Sequence, residues 1–333
     1  MLAKDLSLRL LETMQQVLQT SALMTAQPNK LCQATLYALA ATGKMLRGRM
    51  LLAAYQAVTG NLETGRALPA AAAIEYLHLG TLIHDDLIDL DELRRGQASV
   101  WRQYGSETAL LSGDLFYFVA FQTLVRSLGD EKIARRVLDA FSTTCVNLCL
   151  GQALEENLAG NCNACYEDYF SVVRLKTASL FRTALEVGAL LGSGSEEQIQ
   201  ALAECAEHLG LAFQIIDDLL PFTGDPRTIG KPVTSDIKNH RLTAPILSAF
   251  TLANKSEQRT LRAIYEEKRF DTHLELAHQV ITVILRRTGA YQKAEQDALQ
   301  HLQNALQFLE ILPNGTGREE LVLMAHSLVK RNK

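Results

Sequence analysis

Residues 72–89 read AAIEYLHLGTLIHDDLID. The first twelve are apolar except at Glu75, His78 and Thr81, and the stretch closes on Asp85, Asp86 and Asp89. There is no strict alternation of apolar and polar residues, so the period is that of a helix rather than a strand. On a helix, residues four apart share a face, which places Asp85 beside Asp89. Two carboxylates there repel, and the upstream residues hold no Lys or Arg to neutralise them. Mg2+ takes oxygen ligands, commonly one or two carboxylates completed by waters and substrate phosphates. Asp85 and Asp89 are therefore candidate Mg2+ ligands. Asp86 lies about 100° further round the helix and reads as a supporting residue. The plain alternative is a solvated acidic helix end. The chain continues LDELRRG (90–96), where Arg94 and Arg95 suit an anion.

A second stretch echoes the first. Residues 208–221, HLGLAFQIIDDLLP, form another apolar helix ending in paired acids, Asp217 and Asp218. Two such helices facing each other would aim both acidic ends at one cavity. An apolar helix that ends in two acids, twice over, is hard to explain as solvation.

Cations occur where two anions would need them. In GKMLRGR (43–49), Lys44 and Arg47 are spaced three apart at a helix start, where free N–H groups and the helix dipole favour anions. His78 precedes Asp85 by two helical turns and shares its side. Lys176 stands before Thr177, and Lys231 follows Gly230. Each basic residue alone reads as a surface charge. Together they describe two anion pockets, one bridged by Mg2+ and one purely cationic, as a reaction between two diphosphates requires.

The composition narrows the class. The chain has 333 residues, a formal charge of −4 and 47% hydrophobic residues, enough for a substantial core. The mild acidity and scattered basic residues argue against nucleic acid as a partner. No proline falls between Pro69 and Pro221, which suits long helices. No unbroken run of 18 apolar residues occurs, so no membrane span is expected. The first residues lack a signal-peptide pattern, and the six cysteines read as reduced thiols, so a cytoplasmic location is expected. Cys145 and Cys149, with Cys162 and Cys165, raise a four-cysteine zinc site. Only the second pair has zinc-knuckle spacing, and helical core plus loop is the favoured reading.

Helical periodicity is expected over 2–20, 29–42, 45–58, 67–92, 106–128, 130–158, 165–191, 195–220, 240–253, 256–267, 271–288, 289–310 and 317–331. Strand signals are absent. Only 221–236, PFTGDPRTIGKPVTSD, reads as a long irregular segment. The expectation is one all-α domain over 1–333, a bundle of a dozen or so helices.

On these blocks the chain resembles the trans-isoprenyl (polyprenyl) diphosphate synthases. The likeness runs through GKMLRGR, HLGTLIHDDLIDLDELRRG, GQALE, KTASLF with FQIIDDLL, and GKPVTSDIKNHRLTAPI, in that order. The resemblance implies an all-α isoprenoid-synthase-type bundle around a deep central cavity, and a homodimer. It implies an allylic prenyl diphosphate held through Mg2+ by Asp85 and Asp89, assisted by Arg94, with Asp217 on a further Mg2+. Lys176 and Lys231 would also take that diphosphate. Isopentenyl diphosphate would sit on Lys44, Arg47, His78 and Arg95. Thr177, Gln214 and the region of Lys176 would face the developing allylic cation, with Asp86 and Asp218 as supports. The implied reaction is head-to-tail condensation without a protein nucleophile.

Three positions depart from the family pattern. Pro221 stands where a third aspartate is usual, and it disfavours helix at Leu220, so the helix is expected to stop there. Gly48 ends the first block where proline is usual. His240-Arg241 replaces a Gly-Lys pair. Pro221 motivates one alternative, a weakly active or non-catalytic subunit of a heteromeric synthase. The small residues Gly80 and Thr81, just before the first motif, suggest a long product tunnel and a product of C20 or longer. Leu77 and Phe116 are candidate floors, and tight helix packing is the other explanation of Gly80. An HD-type metal phosphohydrolase, prompted by His84-Asp85, lacks upstream histidines. A terpene cyclase would not need Lys44, Arg47 and Arg95.

Overall fold

A computed structural model describes residues 2–19, 29–223 and 233–330. The described chain is helical almost throughout, as expected. The amino-terminal elements are α1 (Leu2–Gln19), α2 (Lys30–Ala40), α3 (Leu46–Thr59) and α4 (Leu68–Ile88). A small hairpin, β1 (Leu93–Arg94) and β2 (Gln97–Ala98), follows. Next come α5 (Val100–Tyr104), α6 (Ser106–Ser127), α7 (Glu131–Leu158) and α8 (Tyr166–Val173). A π-helical turn, Arg174–Ala178, joins α8 to α9 (Ser179–Leu191). Then follow α10 (Glu196–Thr223), α11 (Ser235–Lys238), α12 (Ala244–Leu252), α13 (Lys255–Tyr265), α14 (Leu274–Thr288), α15 (Ala290–Phe308) and α16 (Thr316–Val329).

The chain divides into two compact units. The first comprises residues 1–143, 180–204 and 308–324. Its centre is α4, where Ala70 to Leu77 are all buried, as suits a helix apolar on every side. Pro69 stands in the first turn of α4, where its missing N–H costs nothing. Small residues set the close approaches. A side chain at Gly188 would come within 2.3 Å of the Leu51 carbonyl, so α9 rests on the backbone of α3. A side chain at Gly80 would meet the Tyr117 ring at 2.8 Å and the Gly113 carbonyl at 3.0 Å. The absence of a side chain at 80 is thus filled by α6. Tight packing, rather than open tunnel, explains that glycine.

The second unit comprises residues 144–179, 205–307 and 325–333. Its core includes Ile237, Ile246, Leu261, Ile264, Tyr265, Ile281 and Leu285. Asn254 caps α13 by accepting from the N–H groups of Ser256 and Glu257, while Glu257 accepts from the N–H of Asn254. This is a reciprocal capping box.

Several local expectations are corrected. Strands were not expected, yet Leu93 pairs with Ala98 and Arg94 with Gln97. Arg95 (φ 53°) and Gly96 (φ 78°) form the connecting turn, the left-handed geometry that a two-residue hairpin needs. Helix α10 does not end at Leu220 but continues through Pro221 to Thr223. The His278 ring Nε2 donates to the Pro221 carbonyl at 2.8 Å, and the Phe222 and His278 rings stack at 5.3 Å. Tertiary contacts hold a turn that local preference disfavours. Both ends of the segment read as irregular are helical, at 221–223 and 235–238, and 224–232 lie outside the described residues. Two helices, α6 and α7, are long and apolar enough to cross a membrane by length and mean hydropathy, although neither holds an unbroken apolar run. On α6, Ala109, Phe116, Val119 and Leu124 are buried, while Leu111, Phe118 and Val125 are exposed.

Candidate active site

In the first unit the predicted residues gather on α4, the start of α3 and the hairpin. Asp85 stands on the last turn of α4 and Asp89 caps that helix one turn on, both half-buried, with the Asp89 N–H on the Asp85 carbonyl at 2.8 Å. Asp86 turns inward and is buried. Both the Nε (2.8 Å) and the Nη2 of Arg94 donate to Asp86 Oδ1. Burial pushes the Asp86 carboxyl up to about 6 despite the pull of that guanidinium. Arg94 thus ties the hairpin to the end of α4. The Asp91 N–H bonds the Asp86 carbonyl at 3.0 Å, and Trp101 Nε1 donates to the Asp91 carbonyl at 2.9 Å. These bonds hold the chain as it leaves α4.

Arg95, the next residue, reaches the opposite way and donates to the Ala41 carbonyl. Its guanidinium carbon would lie 2.8 Å from a side chain at Gly43, so that glycine lets the loop before α3 settle on the arginine. Lys44 in the same loop is exposed. Arg47 is buried; its Nη1 lies 3.0 Å from His78 Nε2 and its guanidinium 4.9 Å from the centre of the Phe181 ring. Burial first, then Arg47, Arg95 and Arg94, hold His78 well below the usual imidazole range. His78 is therefore neutral. Its Nε2 accepts from Arg47, which puts the ring proton on Nδ1, 3.5 Å from Thr81 Oγ1. His78 adds no charge to the cluster; it aims Arg47.

In the second unit the π-helical turn carries Lys176 and Thr177. Such turns inside helices often mark functional positions. Lys176 Nζ donates to Glu155 Oε2 at 2.7 Å, and Arg241 Nη2 lies 2.9 Å from the same oxygen. Arg241 Nη1 also lies 3.6 Å from Asp236 Oδ1, so Lys176 and Arg241 are held in place by the two carboxylates Glu155 and Asp236. Thr177 Oγ1 donates to Gln214 Oε1 at 2.8 Å, and Gln214 Nε2 donates to Asp218 Oδ1 at 2.8 Å. Asp218 Oδ2 also accepts from the Tyr169 hydroxyl at 2.8 Å and the Ala244 N–H at 3.2 Å. Burial, then Asp236, pushes Asp218 up to about 7 against those hydrogen bonds. Asp218 is committed to scaffolding, so Asp217, half-buried beside it, is the candidate ligand of this motif. Lys231 lies outside the described residues.

The donor sets fit Mg2+. Each motif offers acidic oxygens and no thiolate, and the first offers two carboxylates one turn apart, the number Mg2+ takes when substrate supplies the rest. Among the described residues no group of three or more His, Cys, Asp and Glu side chains is arranged to cage a metal. Cys145, Cys149, Cys162 and Cys165 form no such group. His84 packs on α6, its Nε2 3.2 Å from the Leu110 carbonyl and 3.6 Å from Asp114, so no histidine cage supports a phosphohydrolase. Sequence reading missed three residues: Glu155, Tyr169 and Glu75. Tyr169 carries no local signature, whereas Glu155 closes the GQALE block without having been singled out, and Glu75 is detectable as the lone acid within an apolar helix.

The all-α architecture is that of isoprenoid synthases. The geranylgeranyl pyrophosphate synthetase of Pyrococcus horikoshii superposes with a TM-score of 0.88 at 29% identity, covering 99% of this chain and 98% of its own. A geranylgeranyl pyrophosphate synthase of Corynebacterium glutamicum, complexed with isoprenyl diphosphate and magnesium, gives 0.85 at 27% identity, covering 99% and 98%. The short chain isoprenyl diphosphate synthase of Methanothermobacter thermautotrophicus is 34% identical over 307 residues, 91% of each chain. The model of the polyprenyl synthetase family matches residues 28–283, and the chain belongs to that family.

Proposed function

We propose that this chain, as one synthase domain over 1–333, condenses isopentenyl diphosphate with an allylic prenyl diphosphate to an all-trans product of C20 or longer. One observation carries the reading. Helix α4 bears both the Asp85/Asp89 turn and, two turns earlier, neutral His78 clasping Arg47. Seven residues on a helix span about 10 Å, a spacing that seats two diphosphates side by side. The geranylgeranyl names among the similar structures support C20.

Asp85 and Asp89 would hold Mg2+ on the allylic diphosphate, and Asp217 a further ion; bound Mg2+ supplies Lewis-acid stabilisation of the leaving diphosphate. Lys176, held by Glu155, would place its ammonium where the leaving group gains negative charge. Lys231 is proposed for the same diphosphate. The Thr177 hydroxyl donates its hydrogen bond to Gln214 Oε1, so its lone pairs remain for the allylic cation. Because Gln214 is in turn tied to Asp218, that dipole is fixed before ionisation. Arg47, Arg95 and Lys44 hold isopentenyl diphosphate while its double bond attacks, and the lost proton passes to the released diphosphate.

The chain is further proposed to act as a homodimer in the cytoplasm. Leu111, Phe118 and Val125 of α6 are exposed at 54%, 70% and 66% and recur every seven residues, the spacing of a helix seam. The functional test incubates the protein with Mg2+, isopentenyl diphosphate and either dimethylallyl, geranyl or farnesyl diphosphate, and reads dephosphorylated products by mass spectrometry. A product ladder lost with EDTA and in Asp85→Ala is expected. No condensation by folded protein would contradict the reading and point to a subunit of a heteromeric synthase.

A further inference from the structure

Glu75 has no part in the ligand sets above, yet it is an acid only 4% exposed in the middle of α4, one turn before His78. Its Oε1 accepts the Gly48 N–H at 2.7 Å, and the adjoining Arg47 backbone weakly favours the same carboxylate. The first turn of α3 needs such a partner. Met45, its cap position, is left-handed (φ 45°, ψ 51°) and contributes no side-chain cap, while the first N–H groups of any helix lack intrahelical acceptors. The contact also explains Gly48. A side chain there would come within 2.6 Å of Leu10 Cδ2, 2.9 Å of the Ala71 carbonyl and 3.1 Å of Glu75 Cγ. Glycine lets the turn descend onto the carboxylate. Helix α4 thus grips the start of α3 twice: Glu75 takes the backbone N–H at 48, and His78 takes the Arg47 guanidinium.

We propose that Glu75 is a positioning residue for isopentenyl diphosphate, capping α3 from the neighbouring helix so that Arg47 is presented in a fixed place. This rests on the assignment of Arg47 to the isopentenyl diphosphate seat made above. Burial raises the Glu75 carboxyl above its usual range while Gly48, Arg47 and Arg95 oppose that, which agrees with a carboxylate enclosed by that turn.

The test compares Glu75→Gln with Glu75→Leu. Both are uncharged and of similar volume, and only glutamine keeps an oxygen for the N–H groups. Leucine is expected to raise KM for isopentenyl diphosphate roughly ten-fold, the worth of one lost hydrogen bond with its donors left unpaired. Glutamine should stay within about three-fold, and KM for the allylic substrate should stay within about two-fold in both. Should leucine prevent folding, Glu75→Asp keeps the charge, withdraws the oxygen by one methylene, and should raise only the isopentenyl diphosphate KM. Calorimetric titration of each protein with isopentenyl diphosphate reads the same effect without turnover. Wild-type protein that binds isopentenyl diphosphate but makes no product would sink the synthase reading alone. A parallel rise of both KM values, or unchanged isopentenyl diphosphate affinity in leucine and aspartate variants, would overturn the positioning role.

Discussion

The two acidic helix ends share a pattern and differ in how they are braced. At the end of α4 the buried Asp86 is held by a cation, Arg94. Near the end of α10 the buried Asp218 is held, among the described residues, by neutral donors: the Tyr169 hydroxyl, the Gln214 amide and the Ala244 N–H. In each motif one aspartate is turned into the protein and its neighbour remains half-buried. The difference lies in what the inner residue organises. Asp86 locks a hairpin that sends Arg94 one way and Arg95 the other. Asp218 locks Gln214, hence Thr177, and the first N–H of α12. In each motif one aspartate braces the fold, and its half-buried neighbour is the proposed ligand.

The largest effect should come from the ligating residues. Asp85→Ala should lower kcat by about 10³-fold and Asp217→Ala by about 10²-fold, read by product formation under saturating Mg2+. Equal activity with wild type in Asp85→Ala would break the assignment. The bracing residues should show in stability. Asp86→Ala leaves Arg94 without its buried partner and should cost about 3 kcal/mol in denaturant unfolding. Asp218→Ala, which orphans neutral donors, should cost about 2 kcal/mol. A smaller effect is expected from Thr177→Val, which removes the hydroxyl but little volume: kcat down about ten-fold, with stability changed by about 1 kcal/mol. Smallest is Pro221→Ala, which restores an N–H near the helix end. It should raise stability by about 1 kcal/mol and leave kcat within about two-fold. A large fall in activity there would show that the proline shapes the second motif.

Helix periodicity made most of the fold legible, because α4 and α10 are long and their apolar runs end on charge. Non-local structure was not legible. The hairpin has two-residue strands, too short for alternation, and only Arg95-Gly96 hints at its turn. The π-helical turn at Lys176 leaves no pattern in sequence. Pro221 misled because local preference ignores His278, 57 positions away, which secures the turn. Gly80 misled because a small residue reads equally as space or as contact, and Tyr117 occupies the place. At the site, residue types pointed to the acids and cations. They did not show that Arg94 serves Asp86, that His78 is neutral, or that Glu155 gathers Lys176 and Arg241.

The central claim is that α4 serves two diphosphates by two different means. Calorimetric titration of geranyl diphosphate and of isopentenyl diphosphate, each with and without Mg2+, on wild type, Asp85→Ala and Arg47→Ala tests it directly. Geranyl diphosphate binding should require Mg2+ and weaken sharply in Asp85→Ala. Isopentenyl diphosphate binding should persist without Mg2+ and in Asp85→Ala, and fall sharply in Arg47→Ala. Equal dependence of both ligands on Mg2+, or equal loss in both variants, would contradict the account.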